Sequence, residues 1–162
     1  MNDPMVLGVL SDTHLYRQEV PLRVLRALDG VDLLIHAGDI VEMAVLEQLE
    51  SLAPTVAVAG NMDHGDVREV LPEKRVIEVA DCRLGLMHGS GAPQNITSRL
   101  RREFDRVDVV IFGHTHRVYN REEDGVFFFN PGSPTDKMFA PFRSVGILEL
   151  GEEVKGRIIM LE

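Results

Sequence analysis

Short apolar runs recur along the chain, and each stops at a small polar or glycine-containing segment. Residues 5–10 form the first. The run shows no polar alternation, the pattern of a strand covered on both faces, and it stops at Ser11-Asp12-Thr13-His14. Pro21 then opens a predicted helix running to about Asp29, with Leu22, Leu25 and Leu28 on one face. Residues 31–37, rich in Val, Leu and Ile, are a second strand ending at Gly38-Asp39. A helix over about residues 41–52 turns Leu46 and Leu49 inward and is ended by Pro54. Residues 55–59 are a third strand, ending at Gly60-Asn61-Met62-Asp63. Repetition of strand, loop and helix requires crossover connections, hence parallel strands.

The pattern then changes. Residues 75–79 and 83–87 read as a hairpin around Ala80-Asp81-Cys82, and its second strand ends at His88-Gly89. A helix from about Asn95 to Phe104 lines up Ile96, Leu100 and Phe104 on one stripe. Residues 107–112 are another buried strand, ending at Gly113-His114-Thr115-His116. The last third reads as antiparallel pairs, 118–121 with 126–129 around Asp124-Gly125, and 144–150 with 154–160 around Gly151-Glu152.

At 162 residues, with 44% hydrophobic and 27% charged side chains, the chain has the size and make-up of one globular domain, and a single domain over residues 1–162 is expected. The formal charge of -9 argues against a nucleic-acid-binding surface, which would need a basic face. The one basic cluster, Arg99, Arg101, Arg102 and Arg106, reads as the solvated face of an amphipathic helix. Cys82 is the only cysteine, which excludes an internal disulfide and a multi-cysteine zinc site. The run at residues 5–10 is too short for a signal-peptide core, and none approaches the roughly 18 apolar residues of a membrane span. No membrane association and a cytoplasmic location are therefore expected.

Five of the strands end alike: Asp12 with His14, Asp39, Asn61 with Asp63, His88, and His114 with His116 each follow an apolar run. In open α/β sheets ligands bind beyond the carboxyl ends of the strands, and parallel neighbours put those ends on one edge. Residues far apart in sequence are thereby expected in one small volume. Imidazole and carboxylate donors without thiolate suit Zn, Mn, Fe, Co or Ni. The i, i+2 spacing within Asp12-Thr13-His14 and His114-Thr115-His116 puts both outer side chains on one side if each triplet is extended. Gly38, Gly60, Gly89 and Gly113 permit tight turns and close approach beside them. Taken singly, each loop is ordinary, because an Asp after a strand is usually a turn residue or a helix cap. The conjunction is what points to metal ions. His36, inside its strand, reads as a structural or supporting residue.

In order and spacing these motifs resemble the calcineurin-like metallophosphoesterase family over nearly the whole chain. The family pattern stands here as Asp12-Thr13-His14, Gly38-Asp39, Gly60-Asn61-Met62-Asp63, His88-Gly89 and Gly113-His114-Thr115-His116. Asn130-Pro131-Gly132-Ser133 is similar to the short bacterial and archaeal phosphodiesterase branch. The resemblance implies an α/β fold, a four-layer α-β-β-α sandwich with mixed sheets. It also implies two divalent metal ions, with manganese favoured among Mn, Ni, Zn, Fe and Co. Asp12, His14 and His116 would hold the first, Asn61, His88 and His114 the second, and Asp39 would bridge both. Asn61 and His114 would lie closest to a bound phosphate. Many members carry a His directly after the motif Asn as the proposed general acid. Met62 stands there instead, so the acid is unassigned, with His64 the nearest substitute.

The expected activity is hydrolysis of a small phosphoester. Two metals about 3.5–4 Å apart would share a bridging water, lower its pKa and supply the hydroxide that attacks phosphorus. Without a positioned acid, good leaving groups react best. Without a basic loop for a dianion, phosphodiesters are favoured over monoesters. The rival is a non-catalytic metal-binding scaffold, since the fold also resembles the Vps29 subunit of the retromer coat, which binds partner proteins. Such members tend to lose part of the ligand set, whereas here every position is filled. A metallo-β-lactamase-type hydrolase would carry its His-x-His early, not late. Phe127-Phe128-Phe129 must turn at least one ring away from the facing layer, which leaves a homo-oligomer open unless a further layer covers it.

Overall fold

The computed structural model describes residues 3–161. Strands β1 (Met5–Leu10), β2 (Leu33–His36) and β3 (Thr55–Ala57) are parallel neighbours, joined through helices α1 (Leu22–Ala27) and α2 (Met43–Glu50). A short helix α3 (Asp66–Val70) leads to the hairpin β4 (Lys74–Val79) and β5 (Cys82–Met87). Helix α4 (Ile96–Arg101) precedes β6 (Val109–Ile111), and the hairpins β7 (Val118–Glu123) with β8 (Val126–Pro131) and β9 (Arg143–Leu150) with β10 (Val154–Leu161) complete the chain. Two five-stranded mixed sheets result, ordered β10-β9-β1-β2-β3 and β4-β5-β6-β8-β7. In the second sheet β5, β6 and β8 are parallel.

Three apolar clusters separate four layers. Leu7 and Val9 of β1, Ile35 of β2 and Leu148 of β9 pack between the sheets with Leu84, Leu86, Val109, Ile111 and Phe129. The alternate residues Leu10, Leu34, Val145 and Ile147 pack against Val24, Leu28, Leu46 and Leu49 of the α1 and α2 layer. On the far side Val110, Phe112 and Phe128 pack against Ile96 and Leu100 of α4, with Phe104. The order is α-β-β-α, as expected. It explains why β1 is apolar without alternation, since helices cover one face and the second sheet the other.

Several expectations need correction. The helices are shorter than their apolar patterns. Leu22 is 59% exposed, because the inward stripe of α1 runs through Val20, Val24 and Leu28 at i, i+4 spacing. Helix α3 was not expected. It follows the loop of Asn61 and Asp63, and only Val67 of it is buried. The three consecutive phenylalanines are covered by further layers, Phe129 in the inter-sheet core with half-buried Phe127 packed against it, and Phe128, 1% exposed, under α4. No helix among the described residues is long and apolar enough to cross a membrane.

Candidate metal centre

The loops leaving β1, β2, β5, β6 and β8 are laced together by hydrogen bonds. Asp12 N donates to Gly38 O (2.9 Å), Gly113 N to His88 O (3.0 Å) and Asn130 Nδ2 to Gly113 O (3.0 Å). His114 N donates to Asp12 Oδ2 at 3.0 Å. The loops leaving β3 and β6 leave no room beside the functional side chains. A Cβ on Gly60 would fall onto Asp39 Oδ1, and one on Gly113 would fall onto Ser11 Oγ and lie 2.7 Å from Asp12 Oδ2.

The donors converge. Asp12 Oδ1 lies 3.3 Å from His116 Nε2, 3.5 Å from His88 Nε2 and 3.6 Å from His14 Nε2. Asp39 Oδ2 lies 3.1 Å from His88 Nε2 and 3.4 Å from His14 Nε2. Asp12, His14 and His116 each present one donor atom within 4.8 Å of the others, and so do Asp12, Asp39 and His88. Asp12 is common to both triads, and Asp39 reaches a histidine of each. His114 stands beside His88, ring centroids 5.5 Å apart. Its Nε2–H donates to Gly91 O at 2.9 Å, leaving Nδ1 as the nitrogen open to a cation. Asn61 is exposed, on a loop pinned at both sides, Gly60 N donating to Asp63 Oδ2 and Met62 N to Asp39 Oδ1, each 2.8 Å.

The two triplets are not extended. Asp12, His14, His114 and His116 have φ of 57°, 45°, 73° and 60°, and Asp39 has 59°. Left-handed backbone costs a residue with a side chain on the order of 1–3 kcal/mol and persists where surroundings over-determine it. Here the side chains meet because the chain coils back on itself, with His14 and His116 rings 5.2 Å apart.

Supporting contacts aim the rings. His88 Nδ1–H donates to Ala37 O at 2.8 Å, and His116 Nδ1–H to Asp136 Oδ2 at 2.6 Å, so Nε2 of each faces the carboxylates. His36 is fully buried. Gly38 N donates to its Nδ1, so Nε2–H donates to Thr13 Oγ1, both at 3.1 Å. Burial holds its pKa down at about 4. Buried Asp63 accepts from Asp39 N (2.9 Å), Gly60 N (2.8 Å) and Val41 N (2.7 Å), fixing two loops at once. Ser133 Oγ donates to Asp12 O at 2.8 Å and Thr135 Oγ1 to Thr13 O at 2.7 Å, so the segment after Asn130 clamps the first loop. Asp136 escaped the sequence reading. Its only signal was a carboxylate shortly after Asn130-Pro131-Gly132-Ser133. His64 is exposed and lines a cleft with Val41, Glu42, Met43 and Asp66, away from the converging donors.

The electrostatics follow from crowding two buried carboxylates among imidazoles. Burial pushes Asp12 up, but nearby His116, His14 and His88 outweigh it and hold the carboxyl well below its ordinary range. Asp39 is lowered likewise, burial being overcome by His88 and the Met62 N–H. Burial opposes protonation of His88, yet Asp39 and Asp12 raise its pKa. His116 is raised to about 9 by Asp12, against burial, with help from Asp136. Asp136 is held at about 2, burial being outweighed by His116 and the N–H groups of Met138 and Phe139. Asp12 Oδ1, His14 Nε2 and His88 Nε2 are nevertheless buried without hydrogen-bond partners among the described residues. Each such atom costs on the order of 1–3 kcal/mol. Anionic oxygens and imidazole nitrogens orphaned around one point fit divalent cations.

Fold and site together define a class, a two-sheet α/β sandwich with a carboxylate–imidazole cluster able to hold metal at one edge. The chain belongs to the calcineurin-like phosphoesterase superfamily, whose domain profile matches residues 5–153. It is 37% identical to a probable metallophosphoesterase of Methanocaldococcus jannaschii, over 98% of this chain and 82% of that protein. It is 30% identical to a phosphodiesterase of the same organism, over 98% of this chain and 100% of that protein. Among solved structures, Vps29 of Entamoeba histolytica complexed with zinc has a TM-score of 0.75 at 26% identity, over 96% of this chain and 99% of that one.

Proposed function

We propose that this chain is a binuclear metal-dependent phosphoesterase that hydrolyses phosphodiesters in the cytoplasm, working as a single domain with manganese as the favoured ion. The observation that carries the reading is the trio of buried, unpartnered atoms, Asp12 Oδ1, His14 Nε2 and His88 Nε2, within two donor triads. Asp12, His14 and His116 would hold one ion, Asn61, His88 and His114 the other, and Asp39 both. Bound divalent ions supply an activated water and neutralise phosphate charge.

The chain's own residues do the rest. Asp136 and the Ala37 carbonyl keep His116 and His88 turned to the carboxylates. Asn61 and His114 orient the phosphate. Met62 is 48% exposed and cannot carry a proton to the departing alcohol, so esters of acidic alcohols are the best substrates. The 30% identity to a phosphodiesterase supports the preference for diesters.

The test is a metal titration coupled to hydrolysis. Stripped protein should take up two manganese ions and then cleave bis(p-nitrophenyl) phosphate faster than p-nitrophenyl phosphate. A faster monoester would overturn the substrate assignment. Two ions bound with neither ester cleaved would favour the second reading, a metal-binding scaffold for partner proteins, which the likeness to zinc-complexed Vps29 keeps in view.

A further inference from the structure

Of the basic cluster, Arg101, Arg102 and Arg106 are exposed, the solvated face expected of them, whereas Arg99 is half-buried. Arg101 donates to Glu123 O and Asp124 O, each at 3.0 Å. Arg99 lies under the loop that follows His88 and donates to three of its carbonyls. Nη2 reaches Ser90 O (2.9 Å) and Ala92 O (2.6 Å), and Nη1 reaches Gln94 O (2.7 Å). Gly91 sits directly over the guanidinium, with φ +75° and room for a Cβ only 3.5 Å from Nη2. Carbonyls 90, 92 and 94 therefore turn toward the arginine. Carbonyl 91 accepts Nε2–H of His114 instead. Residues 90–95 are exposed and lie outside strand and helix, so burial does not fix that carbonyl. A guanidinium can, because its five donors form a rigid planar fork, which an ammonium lacks.

We infer that Arg99 is a positioning residue for His114. It shapes the loop so that the Gly91 carbonyl locks the imidazole as its Nε2–H tautomer, with Nδ1 turned to the metal centre. The role of Nδ1 toward a metal rests on the proposed function, whereas the tautomer does not.

Long-range ¹H–¹⁵N spectra of the metal-free full chain read the tautomer directly. In wild type His114 should be a single Nε2–H form. Arg99→Gln and Arg99→Lys should both give mixed or exchanging tautomers at His114 while His88 keeps its own. In a manganese titration the second ion should bind on the order of 10–100-fold more weakly in both variants, with the first unchanged. An Nδ1–H form in wild type, or an unaltered His114 in folded variants, overturns the inference. Neutral imidazole favours Nε2–H of itself, so the variants carry the test of Arg99, and Arg99→Lys serves if Arg99→Gln fails to fold. Wild type that binds no manganese counts against the proposed function alone.

Discussion

His36 shows how a residue with no direct part in the site still governs it. Its folded pKa of about 4 lies below the ordinary value of 6.5. Between those values the unfolded chain binds a proton that the folded one refuses, so stability rises with pH across this window. It is complete above 6.5 and lost as the pH falls toward 4, a difference of about 3 kcal/mol. His36→Ala should cost about 2–4 kcal/mol at pH 7.5, through a cavity and an unsatisfied Gly38 N–H, and should flatten the acid dependence. Urea unfolding of the metal-free protein at pH 7.5 and 4.5 checks this, and parallel profiles for both proteins would assign the acid sensitivity elsewhere. Asp136→Asn keeps the shape but removes the charge behind His116. Manganese should bind its site at least about 10-fold more weakly, measured by calorimetry, with the fold retained. His36 was legible as a support because it sits inside an apolar run. Asp136 was not, because its partner lies twenty residues earlier and only the β8–β9 connection brings them together.

Elements were legible where a local pattern determines them. The unbroken apolar run of β1 and the hairpin turns at Ala80-Asp81 and Asp124-Gly125, all four with positive φ, follow from side-chain and backbone chemistry within a few residues. The conformation of the donor-bearing triplets does not. Left-handed backbone at Asp12, His14, His114 and His116 is imposed by contacts between loops, and spacing alone suggested extension. Helix ends failed for the same reason, Leu22 lying beyond the stripe that the sheet covers. Gly113→Ala tests the loop packing. The added methyl collides with Ser11 Oγ and Asp12 Oδ2, so the β1 and β6 loops must part. Metal-supported hydrolysis should fall by on the order of 100-fold, since small misplacements at a reacting centre have effects of that size. Gly30→Ala adds the same methyl away from the site, with nothing within 4 Å of it, and should leave turnover near wild type in protein that folds despite the strain at φ +84°.

At the scale of the molecule, the α-β-β-α order of layers came only with the family resemblance, because an unbroken apolar run such as β1 says that both faces are covered but not by what. The gathering of the loops was readable because parallel strands share an edge. What the chain could not disclose was which sheet each donor would come from. Asp12, His14 and Asp39 follow strands of one sheet, and His88 and His116 follow strands of the other. Ions held there would join the two halves of the sandwich. Manganese at a hundred times its dissociation constant should stabilise the fold by about 2.7 kcal/mol, visible as a raised melting temperature. The gain should shrink as pH falls from 9, because His116 then carries a proton that the ion must displace. Stripping the metal ought to act like undoing a clasp. Deuterium should enter quickly at the amides of Asp12, Gly113 and His114, while the β9–β10 ladder keeps its protection. Loading with metal would then set how far this edge of the sandwich can breathe.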